Sequence, residues 1–272
     1  MKFRTICLLF NIVIVVSFVF VFILPFALLG WDYSIEFWKG SWYLALVFLL
    51  LLGVLNGFFA RNWQVFTLVE REDWSGLAAH LVERIFTKKR YGERQVDLLV
   101  DAYLLLGDIG GIERLEEELS KRRPDLLRRS AVLFGLTRIL KDKAADAEAF
   151  LAPWLGRRDV DNWEWLRFDY AFALLRQGKH GEAAPQLLEG AGSRDAVLSL
   201  LAAYLLEAVI VPSLADPSAK GEAERTAAAT KASLRKRFPK GRIEKEIERA
   251  KGEFQIVILS KLIKDAEAWL AT

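Results

Sequence analysis

The sequence predicts an all-α protein: a hairpin of two transmembrane helices, then an α-solenoid of antiparallel helix pairs closed by a C-terminal capping helix. Three observations carry this. Two long apolar runs lie near the N-terminus, and four similar short turns recur behind them at a near-constant spacing. The alternation of apolar and polar residues that marks half-buried strands is scarcely present. The boundaries that follow are a membrane anchor over residues 1–60, helical repeats over 61–190, and divergent C-terminal helices with a cap over 191–272.

Composition supports reading the chain in parts. The hydrophobic fraction is 53% and the charged fraction 27%, but residues 6–60 hold almost no charge, whereas the remainder has the charge density of a soluble domain. A formal net charge of +3 is too small to indicate nucleic acid, and none is expected as a partner. The single cysteine, Cys7, excludes an intrachain disulfide and a thiolate metal site. His80 and His180 are the only imidazoles, so a histidine-rich metal centre is excluded as well, and neither metal nor cofactor is expected.

The first run extends from Ile6 to Leu29 without a charge, longer than the roughly 20 residues needed to cross a bilayer. Lys2 and Arg4 also suit the start of a cleavable signal peptide, but such an apolar region is about 7–15 residues and ends in small residues. Phe26-Ala27-Leu28-Leu29-Gly30-Trp31 is a poor cleavage site, so an uncleaved helix is expected. Pro25 is expected to kink it near its end. The second run spans Trp42 to Ala60 and stops at Arg61. Trp31, Tyr33, Trp38, Trp42 and Tyr43 cluster around the short connector, as an aromatic belt at the membrane–water interface would. Lys2, Arg4 and Arg61 flank the spans, while the connector has Asp32 and Glu36 against one Lys39. The positive-inside rule therefore places both termini and the repeat domain in the cytoplasm, in a multi-pass protein of a bacterial inner or plasma membrane. The spans hold Asn11, Ser17 and Asn56 but no ionisable group, which argues against a transport pathway. Asn11 and Asn56 are read as bonding between helices or lying near an interface.

The turns begin at Glu72, Gly107, Asp142 and Gly178, which are 35, 35 and 36 residues apart. Each leads through Leu77, Ile112, Ala147 or Ala183 into a helical pattern. Val96, Leu99, Val100, Tyr103 and Leu106 share one helical face, and Trp165, Phe168, Phe172 and Leu175 share another. Period and turn resemble the tetratricopeptide repeat, two antiparallel helices joined by a Gly-Asp-type turn with an alanine soon after. Ala147 and Ala183 match that small position, and Leu77 and Ile112 depart from it. The small residue expected midway along each first helix is Gly135 or Ala171 in two units and Val65 or Val100 in the others. Pro124 stands where the family often closes a repeat. The register puts the opening helix of the first repeat, about 58–71, inside the end of the second span, so one continuous helix is expected there. Beyond Leu188 an apolar helix over 196–211 is interrupted by Pro212 and Pro217, and helices are expected over 218–237 and 242–270. Ile243, Ile247, Phe254, Ile258 and Leu262 form the stripe of the last, which is read as the cap.

The resemblance places Trp165, Phe168 and Phe172 on the face that lines a concave groove, and Arg94, Asp97 and Asp101 at the corresponding positions one unit earlier. A groove for another protein is one reading; packing against the next helix and a solvated face are the others. Lys231, Arg235, Lys236 and Arg237 offer contact with anionic lipid, or else plain solubilising charge. No phosphate-binding glycine loop, His-Glu-x-x-His helix or Gly-x-Ser-x-Gly elbow is present, so no enzyme is expected. The expected role is a membrane-anchored scaffold or adaptor that presents a repeat groove to a protein partner. The alternative is a structural subunit whose hairpin makes the main contacts within a larger membrane complex.

Overall fold

The computed structural model describes residues 3–22, 24–157, 160–238, 242–250, 256 and 258–272, and every regular element among them is helical. The chain forms two units, residues 1–83 and 84–272.

In the first unit, α1 (Phe3–Phe22), α2 (Leu24–Leu29) and α3 (Trp31–Ser41) precede α4 (Tyr43–Glu70) and α5 (Trp74–Val82). α1 packs on α4. Phe10 meets Phe59 at 6.1 Å and Phe18 meets Phe48 at 6.2 Å, so rising numbers on one helix face falling numbers on the other and the pair is antiparallel. Between them Asn56 Nδ2 donates to Asn11 Oδ1 at 3.0 Å, the interhelical bond anticipated from the two lone amides. Most other apolar side chains of the pair point outward, Leu8, Leu9, Leu49, Leu50 and Val54 being at least half exposed. The connector between the apolar runs, read from the sequence as a short loop, is itself a helix. It lacks proline, and Asp32 in its first turn and Lys39 in its last complement the helix dipole. Trp38 folds back to stack on Phe22 at 4.3 Å. α4 is unbroken over 28 residues, so the second apolar run continues past Arg61 as anticipated.

In the second unit, a π-helical turn over Glu83–Thr87 runs up from the end of α5 and leads to α6 (Glu93–Leu106) and α7 (Ile109–Arg122). α8 (Pro124–Arg129), α9 (Ala131–Leu140), α10 (Ala144–Leu151), α11 (Trp163–Arg176), α12 (His180–Ala191) and α13 (Ala196–Leu205) follow. From α9 to α13 each helix packs on the next, and α6 with α9, α9 with α11 and α11 with α13 also touch. Pro124 opens α8, where its missing N–H costs nothing, rather than closing a unit.

All four predicted turns adopt one geometry. Glu72, Gly107, Asp142 and Gly178 have φ of 54°, 68°, 59° and 74°. The amide of each donates to the carbonyl three residues back (Val69, Leu104, Ile139 and Leu175), and the next amide donates to the carbonyl five back (Leu68, Tyr103, Arg138 and Leu174). This double bond pattern closes a helix with a left-handed residue, and the residue after it caps the following helix. Asp73 and Asp108 do so with side-chain bonds to the Gly76 and Gly111 amides at 2.9 and 2.8 Å. Leu77, Ile112, Ala147 and Ala183, five residues past each left-handed position, are all buried. The helices approach closely at Gly135, where an added Cβ would lie 2.5 Å from Leu151 Cδ2.

α13 continues through a second π-helical turn, Leu206–Ile210, into α14 (Val211–Ser213). Two helices are long and apolar enough to cross a membrane by length and composition, Tyr43–Glu70 and Ala196–Ser213. The most apolar window of the first is 0% buried within the fold and that of the second 61%, so Ala196–Ser213 serves as a core helix. Around it pack α15 (Pro217–Arg237), α16 (Arg242–Ala250) and α17 (Ser260–Ala271). The single last helix expected over 242–270 is interrupted, among the described residues, at Leu259, which stands before α17. The turn changes which face is buried: Ile243 and Ile247 are buried as the stripe requires, but beyond them Ile256, Leu259 and Ile263 are buried while Ile258 and Leu262 are only partly so. Phe254 lies outside the described residues.

Candidate partner-binding site

The four turns fix which positions correspond from unit to unit. Arg94, Asp97 and Asp101 on α6 match Trp165, Phe168 and Phe172 on α11, and Leu105 matches Leu140 and Arg176. One stripe therefore runs across the first helix of each unit, and its character changes along the way.

At the α11 end the stripe is core. Trp165 and Phe168 are buried, Trp165 Nε1 donates to Asp195 Oδ2 at 2.9 Å, and the two rings meet edge to face at 5.6 Å. Burial gives both residues the packing role and leaves them no open surface to offer a partner. Phe172, partly buried, lies parallel to Phe168 at 6.3 Å. With Ile139, Leu140 and Arg176 it forms one wall of a cleft of about 340 Å³, and Ile258, Leu259, Leu262 and Asp265 of the C-terminal segment form the other.

At the α6 end the stripe is open and acidic. Arg94 is exposed, Asp97, Leu98 and Asp101 are partly buried, and Leu105 is 50% exposed. Asp97 accepts from Ser130 Oγ at 2.7 Å. Burial raises the Asp97 carboxyl above the usual carboxylate range against that bond, and the charges of Glu93 and Asp161 push the same way. Burial, helped by the Asp97 charge, lifts Asp101 to about 6. Arg129 pairs with Glu93 at 2.7 Å and holds it low, and Arg94 acts on Glu93 too. Asp161 is pushed up by burial and by its hydrogen bond to Glu93. Sequence spacing missed Glu93, Ser130 and Asp161, because α6, the α8–α9 junction and the loop before α11 contribute one each. The only signal was that Asp161, with Asn162, adjoins the start of the helix that carries Trp165, Phe168 and Phe172.

The remaining candidates divide. Trp31, Trp42 and Tyr43 are well exposed at the ends of α3 and α4, and Trp38 is partly buried on Phe22. Tyr33 lies within α3, its side chain outside the described set. The basic residues of α15 hold the last helix: Arg235 Nε donates to Leu270 O at 2.8 Å, and Lys231 Nζ sits 4.5 Å from the centre of the Trp269 ring. Arg237 donates to Arg194 O at 3.4 Å, and Lys236 is exposed. Cations beside the C-terminal carbonyls of α17 also favour its dipole. Among the described residues no group of three or more His, Cys, Asp or Glu is placed to hold a metal ion.

These features define a class: an all-helical chain that joins an outward-apolar hairpin to a helical unit built on one repeated turn. The family described as "Uncharacterised Treponema protein" matches residues 111–272. An uncharacterised protein of Treponema pallidum (strain Nichols) is 31% identical over 233 residues, 83% of this chain and 74% of that one. The chain belongs to this family of Treponema proteins. No solved structure matches it.

Proposed function

We propose that the protein is a membrane-anchored interaction module, a tetratricopeptide-like solenoid that holds a partner protein at the cytoplasmic face of the membrane. The observation that carries this reading is the open α6 end of the stripe, where two partly buried carboxylates lie beside exposed leucine. Groups poised at such a cost are a mark of binding surfaces. The outward-apolar α1–α4 pair, its interhelical amide bond and the basic residues flanking it support a transmembrane anchor. The four matching turns and the contacts between alternate helices support a solenoid. On this reading the chain's chemistry is binding alone, and lipid contact through α15 falls mainly to Lys236.

A second reading makes the chain a subunit held in a larger membrane complex by its hairpin. Gly53 and Gly57, one turn apart on α4, favour it, because a Cβ added at either would meet nothing within 4 Å and another helix could approach closely there. Capture from native membranes separates the two. Residues 84–272 alone should retain the partner that the full chain retains. Partners crosslinked only through residues 6–60 would transfer the function to the hairpin.

A further inference from the structure

Two triplets of cations distant in sequence meet on one surface of the second unit. Lys88, Lys89 and Arg90 form the loop between the π-helical turn and α6, and Lys121, Arg122 and Arg123 stand at the end of α7. Glu118 joins them. Its carboxylate accepts from Lys89 Nζ at 2.8 Å and from Tyr91 Oη at 2.6 Å, and it lies 3.1 Å from Arg122 Nε. The loop is also held in shape by its backbone. Lys89 has a left-handed φ of 50°, and the Arg90 amide donates to Arg84 O at 2.9 Å. Left-handed positions outside glycine gather at functional sites.

Charge on this surface is not balanced. Glu117 pairs with Lys121 and Asp125 with Arg123. With Glu118 that makes three carboxylates against six cations, a surplus of three, as large as the formal charge of the whole chain. Five of the six cations are exposed, and Arg123 is partly so.

Chain length keeps the surface within reach of a bilayer. On the transmembrane reading Arg61 ends the second span. From Arg61 to Glu70, α4 rises by about 14 Å at 1.5 Å per residue. The turn at Glu72 then reverses the chain, and α5 packs back along α4, so closely that a Cβ on Gly76 would lie 3.0 Å from Leu68 Cδ2. From Trp74 to Val82, α5 recovers about 12 Å, which returns Val82 to near the level of Arg61 along the helix. Lys88 follows Val82 by six residues, a bound of about 20 Å even for extended chain, and Glu83–Thr87 is coiled.

We propose that the surface formed by Lys88–Arg90 and Lys121–Arg123 rests on the anionic headgroups of the membrane that holds the hairpin. The proposal rests on the transmembrane reading above and adds an attachment by charge for the helical unit. Each cation near an anionic leaflet strengthens binding about fivefold, so a surplus of three favours contact by about a hundredfold. The hairpin adds to this by keeping the bilayer at high effective concentration. An acidic protein would meet the same charge, but only the bilayer is held by the chain itself within the reach just derived.

The test uses the full chain in a Cys7→Ser background, with a fluorophore on Ser120→Cys, an exposed position beside Lys121. The chain is placed in lipid nanodiscs that carry a quencher on their headgroups. Quenching should be strong in discs containing phosphatidylglycerol and weak in phosphatidylcholine. It should be reversed in about 1 M salt, where the screening length is about 3 Å. The variant Lys88→Gln/Arg90→Gln/Lys121→Gln keeps the cations that hold Glu118 and Asp125, and should weaken the contact by about a hundredfold, to the quenching of neutral discs. Its unfolding midpoint is measured alongside; were it to fall, lipid charge and salt would decide alone. The control Lys245→Gln/Lys261→Gln/Lys264→Gln removes as much exposed charge elsewhere and should leave quenching unchanged. Equal quenching in neutral and anionic discs, quenching that survives the first triple substitution in a folded chain, or an equal loss in the control overturns the proposal and leaves the anchor standing. So does a label that responds to soluble polyglutamate and not to anionic discs. Extraction of the full chain from vesicles by alkaline carbonate would instead refute the anchor, and the proposal with it.

Discussion

A carboxyl group that burial lifts from 3.8 to about 6 binds its proton more tightly in the folded chain than in the unfolded one. Above pH 6 the folded chain must ionise Asp101 at a cost; below pH 4 the group is protonated in both states and the cost is gone. The carboxylates of Asp125, Glu118 and Glu148 are shifted the other way, chiefly by hydrogen bonds from Arg123, Lys89 and Lys179, and they lose stability over acid pH. The pH profile of the whole protein therefore mixes both signs, and the difference between wild type and Asp101→Asn isolates this one. Asn cannot ionise, so the variant should be more stable at pH 7 by about 1 kcal/mol, after solvent screening of a partly exposed group is allowed for. The gap should close as pH falls from 7 to 4, as read by denaturant unfolding at several pH values. A variant less stable than wild type at pH 7 would mean that a cation holds Asp101 after all. A side chain that costs stability and is nevertheless present is what a binding role requires.

At the scale of the element, the turn explains both what was legible and what was not. Gly107 and Gly178 announce a left-handed residue directly, since glycine reaches positive φ without steric cost. Glu72 and Asp142 adopt the same conformation without being glycine, so at those two turns only the 35-residue spacing was a guide. The helical hairpin was legible because apolar length is a strong signal, and Asn11 and Asn56 stood out as the amides in otherwise apolar runs. The α3 helix was not, because its aromatic and acidic residues read equally well as a loop at an interface. The break at Leu259 escaped notice because Ile258 and Leu262 continue the periodic stripe through it. The stripe was legible in register but not in burial. Trp165 and Phe168 are covered because α11 packs on α12 and α13 in a core that the helices beyond Leu188, where the repeat pattern fades, complete. Glu72 also offers a test of the turn. Its positive φ strains a side chain with a Cβ, whereas glycine would meet the same bonds freely, so Glu72→Gly should stabilise the α4–α5 turn by about 0.5–1 kcal/mol. The measurable sign is slower amide exchange at Asp73 and Leu77, whose N–H groups bond within the turn. Faster exchange would show that Glu72 contributes a contact that outweighs the strain.

At the scale of the whole molecule, the transmembrane reading proposed above predicts, from the distribution of charge about the hairpin, which side of a membrane the α6 stripe faces. Lys2 and Arg4 precede the first apolar run and Arg61 follows the second, whereas α3 between them holds Asp32 and Glu36 against Lys39. Translocating the two flanks would carry these cations across, whereas translocating α3 carries a small net negative charge, so the expected arrangement leaves α3 outside and residues 61–272 in the cytoplasm. α4 runs from Tyr43 to Glu70 without a break, so on that reading the chain would leave the membrane as helix. The single cysteine makes this easy to probe. In a Cys7→Ser background, cysteine is introduced either at Asp32 or at Lys236, and intact cells are treated with a maleimide that does not cross membranes. Asp32→Cys should be labelled in intact cells, and Lys236→Cys only after the cells are opened. The reverse pattern would turn the stripe outward and exclude a cytoplasmic partner. Labelling of both in intact cells would mean that α1 and α4 do not both span. In either case Asp97 and Asp101 keep their place on α6, but the partner would have to be sought on the far side of the membrane.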